Sequence, residues 1–108
     1  MQTLVQVICS RGRSLRDSIV NDEQLERFGL RIDKKKRRGR KNGWAKIHSV
    51  EPRRQGALNV EWDAGKRILS CRVVNRRGGR PYKILGDFVD YLFDRHHGRL
   101  RLVNIIPR

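Results

Sequence analysis

The sequence predicts an α+β domain in which a small antiparallel β-sheet of four to five strands carries its helices on one face. Three features predict this class. The 108 residues fit one domain with one modest core. Hydrophobic residues make up 37% of the chain, enough for that core. Apolar residues alternate with polar ones through the middle of the chain, and they recur at helical spacing on either side. We expect one or two short N-terminal helices, a longer C-terminal helix, and a single domain covering residues 1–108.

The first third of the chain predicts a strand, a helical region and a second strand. Residues 3–9 (TLVQVIC) are rich in β-branched side chains and predict a strand. Residues 14–28 predict one broken helix or two short ones, with Ser14 as the N-terminal cap. Gly29 is a natural end for this region. Residues 30–33 alternate apolar and charged side chains, as a short strand does.

The remainder predicts three strands, a helix and a closing strand. Residues 44–50 and 57–63 alternate apolar and polar side chains, and residues 66–75 form the returning strand of a hairpin. Apolar side chains then recur at i, i+4 and i+8 from residue 82 to residue 97, which is the clearest helical pattern in the chain. Residues 99–106 (RLRLVNII) alternate again and predict the last strand.

The charge balance indicates the class of partner. The chain has 26 Lys and Arg against 11 Asp and Glu, which gives a net charge of +15. Such an excess destabilises a compact domain by self-repulsion, and a polyanion relieves it. Arginine exceeds lysine, and its planar fork of donors matches phosphates and base edges. We therefore expect a non-enzymatic nucleic-acid-binding protein that contacts the phosphate backbone and uses no cofactor or metal.

The densest basic segment is residues 34–41 (KKKRRGRK), between two predicted strands. No core can absorb it, so residues 34–43 predict a flexible basic loop that attracts phosphates by releasing their counterions. A solvated loop, a nuclear localisation signal and a membrane-surface contact are the alternatives. The candidate contacts in this segment are Lys34, Lys35, Lys36, Arg37, Arg38, Arg40 and Lys41.

Two smaller basic clusters and one aromatic residue complete the candidate site. A glycine pair at residues 78–79 offers backbone N–H groups to an anion, among the cations Arg72, Arg76, Arg77, Arg80 and Lys83. A third cluster before the first predicted helix comprises Arg11, Arg13 and Arg16. Trp44 directly follows the basic loop and is a candidate for stacking on a base, whereas Trp62 shares a face with core residues.

Two other functions stay open at this point. A small nuclease, including a toxin-like ribonuclease, could use His48 and His96 as acid and base, although adjacent His96 and His97 point to different sides of a helix. An adaptor could dock a protein partner through the acidic face of the C-terminal helix, which carries Asp87, Asp90 and Asp94. The choice between DNA and RNA, the number of strands and the oligomeric state do not follow from the sequence.

Cysteine usage and hydropathy predict a location. Cys9 and Cys71 belong to no C-x-x-C pair, so we expect both to be reduced, buried and structural. The apolar run in residues 1–10 is too short for a signal peptide. No stretch approaches the roughly 20 apolar residues that span a bilayer. These features predict a cytoplasmic protein with no membrane partner.

Overall fold

The computed structural model describes residues 3–50, 56–75 and 81–107, which form one antiparallel sheet with helices on one face. This confirms the α+β class and the long C-terminal helix. In chain order the elements are β1 (Leu4–Cys9), α1 (Leu15–Val20), a short 3-10 helix (Leu25–Phe28), β2 (Leu30–Lys34), β3 (Trp44–Ser49), β4 (Gly56–Asp63), β5 (Ile68–Asn75), α2 (Pro81–His96), a 3-10 turn (His97–Arg99) and β6 (Leu100–Ile106).

The sheet of the described residues has six strands in the order β2-β3-β4-β5-β1-β6. The predicted count of four to five was therefore too low. The shortest strand, β2, pairs only with β3 and runs directly into the basic segment. Each of the six strands coincides with a segment for which the sequence predicts a strand, so the error lay in how many of these segments were assigned to one sheet.

The first strand lies between β5 and the last strand. Val5 of β1 is opposite Cys71 of β5 on one side and Ile105 of β6 on the other. Leu4 is opposite Ile106, so the start of the first strand lies beside the end of the last strand. The pairing of β1 with β6 therefore joins residues that are nearly the whole chain apart.

The core lies between the helices and one face of the sheet. Strand residues that share this face are fully buried, among them Val7, Leu58 and Leu69. From the helical side, Ile19 of α1 and Phe88 of α2 are also fully buried in the same cluster. The opposite face carries no helix of the described residues, and we call it the helix-free face.

The caps of the N-terminal helical region agree with the sequence. The Ser14 hydroxyl accepts a hydrogen bond from the Asp17 backbone N–H at 3.2 Å and so caps α1. Gly29 ends the 3-10 helix in the left-handed region at φ 78°, where a side chain is disfavoured. The predicted break in this region is the short stretch between the two helices.

Four connections meet at one end of the sheet. Strands β1, β2 and β4 finish where β3, β5 and β6 begin, because every pairing is antiparallel. The segments that join them there are residues 10–14, 35–43, 64–67 and 97–99. We call this the basic end.

No helix of the described segments is both long and apolar enough to span a membrane. Both cysteines are free and buried, as the sequence predicts. Burial raises the pKa of the Cys71 thiol, and burial also raises that of Cys9 against the lowering effect of Arg99. These thiols are therefore poor nucleophiles, in keeping with a structural role.

Candidate nucleic-acid interface

The basic end gathers cations that are distant in sequence. Its four connecting segments, with the last residue of β2, supply Arg11, Arg13, Lys34, Lys35, Lys36, Arg37, Arg38, Arg40, Lys41, Lys66, Arg67 and Arg99. Every residue from 33 to 42 is exposed. The first and third sequence clusters thus belong to one surface.

Few carboxylates compensate these charges. Lys41 approaches Glu61 at 4.0 Å, but Lys41 is 87% exposed and such surface pairs contribute little. Asp33 pairs with Lys46, which lies in β3 outside the loop. Within the described ranges, no ion pair reaches residues 34–38 or Arg40. The loop therefore presents an unneutralised block of positive charge.

Arg16 fastens both ends of this loop. Its guanidinium donates from Nε and Nη2 to the carbonyl oxygen of Trp44 at 3.1 and 3.0 Å. Nη2 also donates to the carbonyl of Lys35, and Nη1 pairs with Asp17 at 2.8 Å. With 9% exposure, Arg16 is not available to phosphate. Its place in the third predicted cluster is therefore corrected: it supports the loop from inside.

A glycine allows the loop to rejoin the sheet. The Trp62 N–H donates to the Gly43 carbonyl at 2.9 Å, next to the start of β3. A Cβ at Gly43 would lie 2.6 Å from the Trp62 carbonyl oxygen. Only glycine permits this approach without a backbone shift. The end of the loop is thereby pressed against β4.

Arg99 ties the first connection to the last. Its guanidinium donates to the carbonyl of Arg13 and lies beside Gly12, where a Cβ would be 3.4 Å from Arg99 Nε. The Ser10 N–H donates to the Arg99 carbonyl at 2.9 Å, and the Cys9 N–H donates to that of Arg67 at the same distance. Three of the four connections are thus joined by hydrogen bonds.

Two open clefts with cationic walls cut into this surface, beside a third of about 490 Å³ whose walls carry Glu61 and Asp63 with Lys41. The larger, about 710 Å³, lies between the first connection, the end of the loop and the β4–β5 turn, with Arg11 and Arg67 on its walls and Asp17 as its one acidic residue. The smaller, about 300 Å³, lies within the loop, is lined by residues 36–38 and 40–42, and shares Asn42 with the larger. Clefts walled by guanidinium and ammonium groups suit phosphate groups.

Trp44 does not present its ring at this surface. It is 1% exposed and lies on the helix-free face, with the Arg40 guanidinium 5.8 Å from the ring centroid. As the first residue of β3, its side-chain direction is set by the pleat of the strand. Stacking of a base on this ring would require Arg40 to move aside.

Two residues of the second predicted cluster, Arg72 and Lys83, belong to the described part of the chain. Arg76, Arg77 and Arg80 fall outside the described residues. Lys83 is in the first half of α2, at the opposite end of the sheet, and pairs with Asp87 at 3.1 Å. Lys83 and the basic loop therefore do not form one continuous surface.

The histidines are separated. His96 is held by the Tyr91 hydroxyl at 2.8 Å and lies 3.8 Å from Asp22, whereas His48 is on the helix-free face and His97 is exposed. Within the described residues no three His, Cys, Asp or Glu side chains are grouped to hold a metal ion. On the acidic face of α2, Asp87 is 13% exposed and paired with Lys83.

Sequence reasoning missed Lys66, Arg67 and Arg99 as members of the surface. All three fall inside predicted strands (residues 66–75 and 99–106), whereas in the structure each of them precedes its strand. The missing information was the strand order, which brings these connections together. Comparison with protein-family models, curated proteins and solved structures finds no significant match to this chain.

Proposed function

We propose that the protein binds a nucleic acid through phosphate contacts made by the basic end. The observation that carries this proposal is the uncompensated block of charge at residues 34–40, fixed to the sheet by Arg16 rather than left to hang free. Preformed cationic surfaces bind phosphates with less loss of conformational entropy than free chains do. Arg11, Arg13, Arg67 and Arg99 extend the same surface.

Binding of this kind releases counterions and depends steeply on salt. With about four to eight phosphates neutralised, log K should fall with log salt concentration at a slope of about −4 to −7 on duplex DNA. Fluorescence anisotropy with matched single- and double-stranded DNA and RNA probes at several salt concentrations measures the slope. Affinity that hardly responds to salt would sink the proposal.

A charge-matched pair of variants separates this surface from net charge. Arg37→Gln with Arg38→Gln removes two cations from the loop, and we expect a lower affinity and a smaller salt slope by about 2. Arg27→Gln with Lys83→Gln removes the same charge at the other end of the sheet. The control pair should keep most of the affinity. Equal losses in both pairs would show that net charge alone is responsible.

The nuclease alternative has its own test. His96 is engaged by Tyr91 and Asp22, and His48 lies on the other side of the sheet. We expect incubation with RNA and DNA, with and without Mg²⁺, to leave both substrates intact. If the protein does cleave a substrate, and if that cleavage is lost in His48→Ala or His96→Ala, its function is catalysis and not binding alone.

A further inference from the structure

The larger cationic cleft of the basic end holds an aromatic side chain as well as cations. Trp62, near the end of β4, lines this space of about 710 Å³ together with Arg11 and Arg67. The first connection, the end of the basic loop and the β4–β5 turn supply its other walls. We call it the Trp62 cleft. Aromatic rings beside cationic side chains are the combination by which proteins bind single-stranded nucleic acids.

Trp62 is the tryptophan that the structure leaves open to solvent. It is half-buried and packs partly against the core, whereas Trp44 is 1% exposed. The Trp62 backbone is paired on both sides, with Leu69 of β5 and, through its N–H, with the Gly43 carbonyl. The surface that it exposes therefore belongs mainly to the indole. The sequence predicted stacking at Trp44 and a core position for Trp62, and the burial of the two residues supports the opposite assignment.

Small residues keep the space beside this ring open. Gly43, directly before β3, is opposite Trp62 of β4, and residues in such a pair project to the same face of the sheet. As a glycine, it has no side chain to cover the indole. Gly12, Ser14 and Ala64 also line the cleft. A volume of about 710 Å³ lies within the range of ligand pockets, about 300–1,000 Å³, and has room for a base with its sugar.

Two guanidinium groups of the cleft are free for phosphate. Arg11 and Arg67 are exposed, and within the described ranges no ion pair reaches either of them. The one carboxylate in the wall, that of Asp17, pairs with Arg16 at 2.8 Å, which offsets its charge. Guanidinium groups bind phosphate oxygens through two parallel hydrogen bonds. The cleft therefore joins an aromatic face to two phosphate-binding groups.

Trp62 also lines the neighbouring cleft of about 490 Å³, which has a different charge. The walls of that cleft carry Glu61 and Asp63, and Lys41 approaches Glu61 only to 4.0 Å. Carboxylates repel phosphate, so this side of the ring is unfavourable for a sugar–phosphate chain. A chain that passes Trp62 is thereby directed towards the guanidinium groups of the Trp62 cleft.

The polar groups of the cleft select no single base. The Asn42 amide offers a donor and an acceptor, the Ser14 hydroxyl can do the same, and the two arginines add donors. This mixture matches the hydrogen-bonding edge of every base in part. Stacking uses the π-face that all bases share, and it therefore tolerates any sequence.

We propose that the Trp62 cleft takes one unstacked base of a single-stranded nucleic acid against the indole of Trp62, with the adjacent phosphates on Arg11 and Arg67. This rests on the proposed function and adds a requirement for an accessible base to it. The bases of a duplex are stacked on one another and offer no free face, so the cleft favours single strands.

The direct test compares octanucleotides of equal charge. Fluorescein-labelled octamers of thymidine, deoxycytidine and an abasic sugar–phosphate are titrated at pH 7.5 and one ionic strength. We expect both base-bearing octamers to bind about tenfold more tightly than the abasic one, as stacking of one base on an aromatic ring does. Equal binding of all three overturns the stacking proposal and leaves phosphate binding intact. Failure of every octamer to bind at low salt overturns both proposals.

Variants assign the preference for bases to this ring. Trp62→Phe keeps an aromatic face, whereas Trp62→Leu removes it. The phenylalanine variant should keep part of the preference, and the leucine variant should bind the thymidine octamer no more tightly than the abasic one. Unchanged affinity for the abasic octamer shows that the cationic surface is intact in each variant. Tyr82→Leu is the control, because Tyr82 is an exposed aromatic residue at the opposite end of the sheet. A preference for bases that survives in Trp62→Leu overturns the assignment.

Arg67 allows the phosphate contact to be removed without harm to the turn. Its φ of 56° lies in the left-handed region, where glycine is favoured. Arg67→Gly should therefore fold with an unchanged or higher melting temperature. It should weaken binding of the thymidine and abasic octamers by the same factor and reduce the salt slope of each by about 0.7. Unchanged affinity for the abasic octamer would overturn the path of the phosphates over Arg67.

The chain supplies a reporter that needs no variant to fold. Of its two tryptophans, Trp44 is buried, so acrylamide quenches chiefly the emission of Trp62. The thymidine octamer should protect this emission from acrylamide, and the abasic octamer should not. Equal protection by the two octamers contradicts a base against Trp62.

Discussion

At the scale of single residues, Arg16 differs from the arginines around it in what its guanidinium contacts. Arg11 and Arg13 are exposed, but the Arg16 guanidinium donates hydrogen bonds to two backbone carbonyls and one carboxylate. The three have the same side chain and stand within six positions of one another. Composition therefore cannot separate the one that holds the loop from the two that face solvent.

Removing this anchor should loosen the loop and lower stability. Arg16→Leu leaves the carbonyls of Lys35 and Trp44 without their charged donor. We expect the free energy of unfolding to fall by about 2–3 kcal/mol, since hydrogen bonds to charged groups contribute in this range. Urea titration measures it, with the exposed Arg27→Leu expected to change stability by less than about 0.5 kcal/mol. Equal stability of the two variants would contradict the anchor role.

Four side chains join the stretch after α1 to the end of α2. Arg95 donates twice to Asp22 at 3.1 Å, and the Tyr91 hydroxyl donates to the same carboxylate at 2.9 Å. That hydroxyl has one proton, so His96 Nε2 must donate to its oxygen. Burial opposes ionisation of Asp22, but these hydrogen bonds and the Gln24 N–H lower its pKa overall.

This arrangement makes stability fall in mild acid. Burial lowers the pKa of His96, helped by Arg95 and Arg99 and opposed by Asp22. The unfolded chain then binds this proton more readily, so stability is full above about pH 6.5 and is lost as pH falls towards the lowered value. Urea titrations at pH 7.5 and 5.5 should show the loss. It should persist in His97→Gln and shrink in His96→Gln, and a loss of the same size in both variants would contradict the assignment.

At the scale of elements, the close contact between the residue before β3 and the end of β4 depends on a glycine, which has no side chain. Gly43 lies against the Trp62 backbone at the point where the basic loop enters the sheet. The β2–β3 hairpin and the β4–β5 hairpin are thereby held together beyond their ladder of hydrogen bonds. The direction of the loop follows from this contact as well as from Arg16.

Filling this contact should separate the strands, whereas filling another glycine should not. Gly43→Ala places a Cβ 2.6 Å from a carbonyl oxygen, and we expect a loss of about 1–3 kcal/mol from the backbone shift. Gly86→Ala, in α2 with nothing within 4 Å of the new Cβ, should stabilise by about 0.4–1 kcal/mol. Thermal and urea unfolding compare the two. A neutral Gly43→Ala would show that the loop rejoins the sheet loosely.

The same scale shows where sequence patterns suffice. The alternation and the caps predicted the strands, the N-cap at Ser14 and the end at Gly29, because these depend on neighbours in sequence. The position of β1 between β5 and β6 and the proximity of Arg11 to Arg67 depend on long-range pairing. No local pattern encodes them, and so the sequence predicted the basic loop but not the surface around it.

At the scale of the molecule, the net charge of +15 is distributed unevenly. Within the described residues, the carboxylates pair mainly with cations outside the basic loop, such as Arg31 and Arg95. Self-repulsion is therefore concentrated at the basic end. It is the part of the molecule whose folding should respond most to ions in solution.

Salt should therefore stabilise the protein while it weakens binding. Raising NaCl from 20 to 300 mM screens the repulsion, as the Debye length falls below about 10 Å, and we expect the melting temperature to rise. The rise should be smaller in Arg37→Gln with Arg38→Gln. A melting temperature that falls with salt would show that ion pairs outweigh repulsion.

Because Leu4 and Ile106 are paired, a protein joined before β1 or after β6 would emerge beside the other terminus, across the sheet from the basic end. Fusion partners, surface tethers or a short bridge that circularly permutes the chain can be attached there and leave the cationic surface open. That geometry makes immobilised binding measurements practical from either terminus.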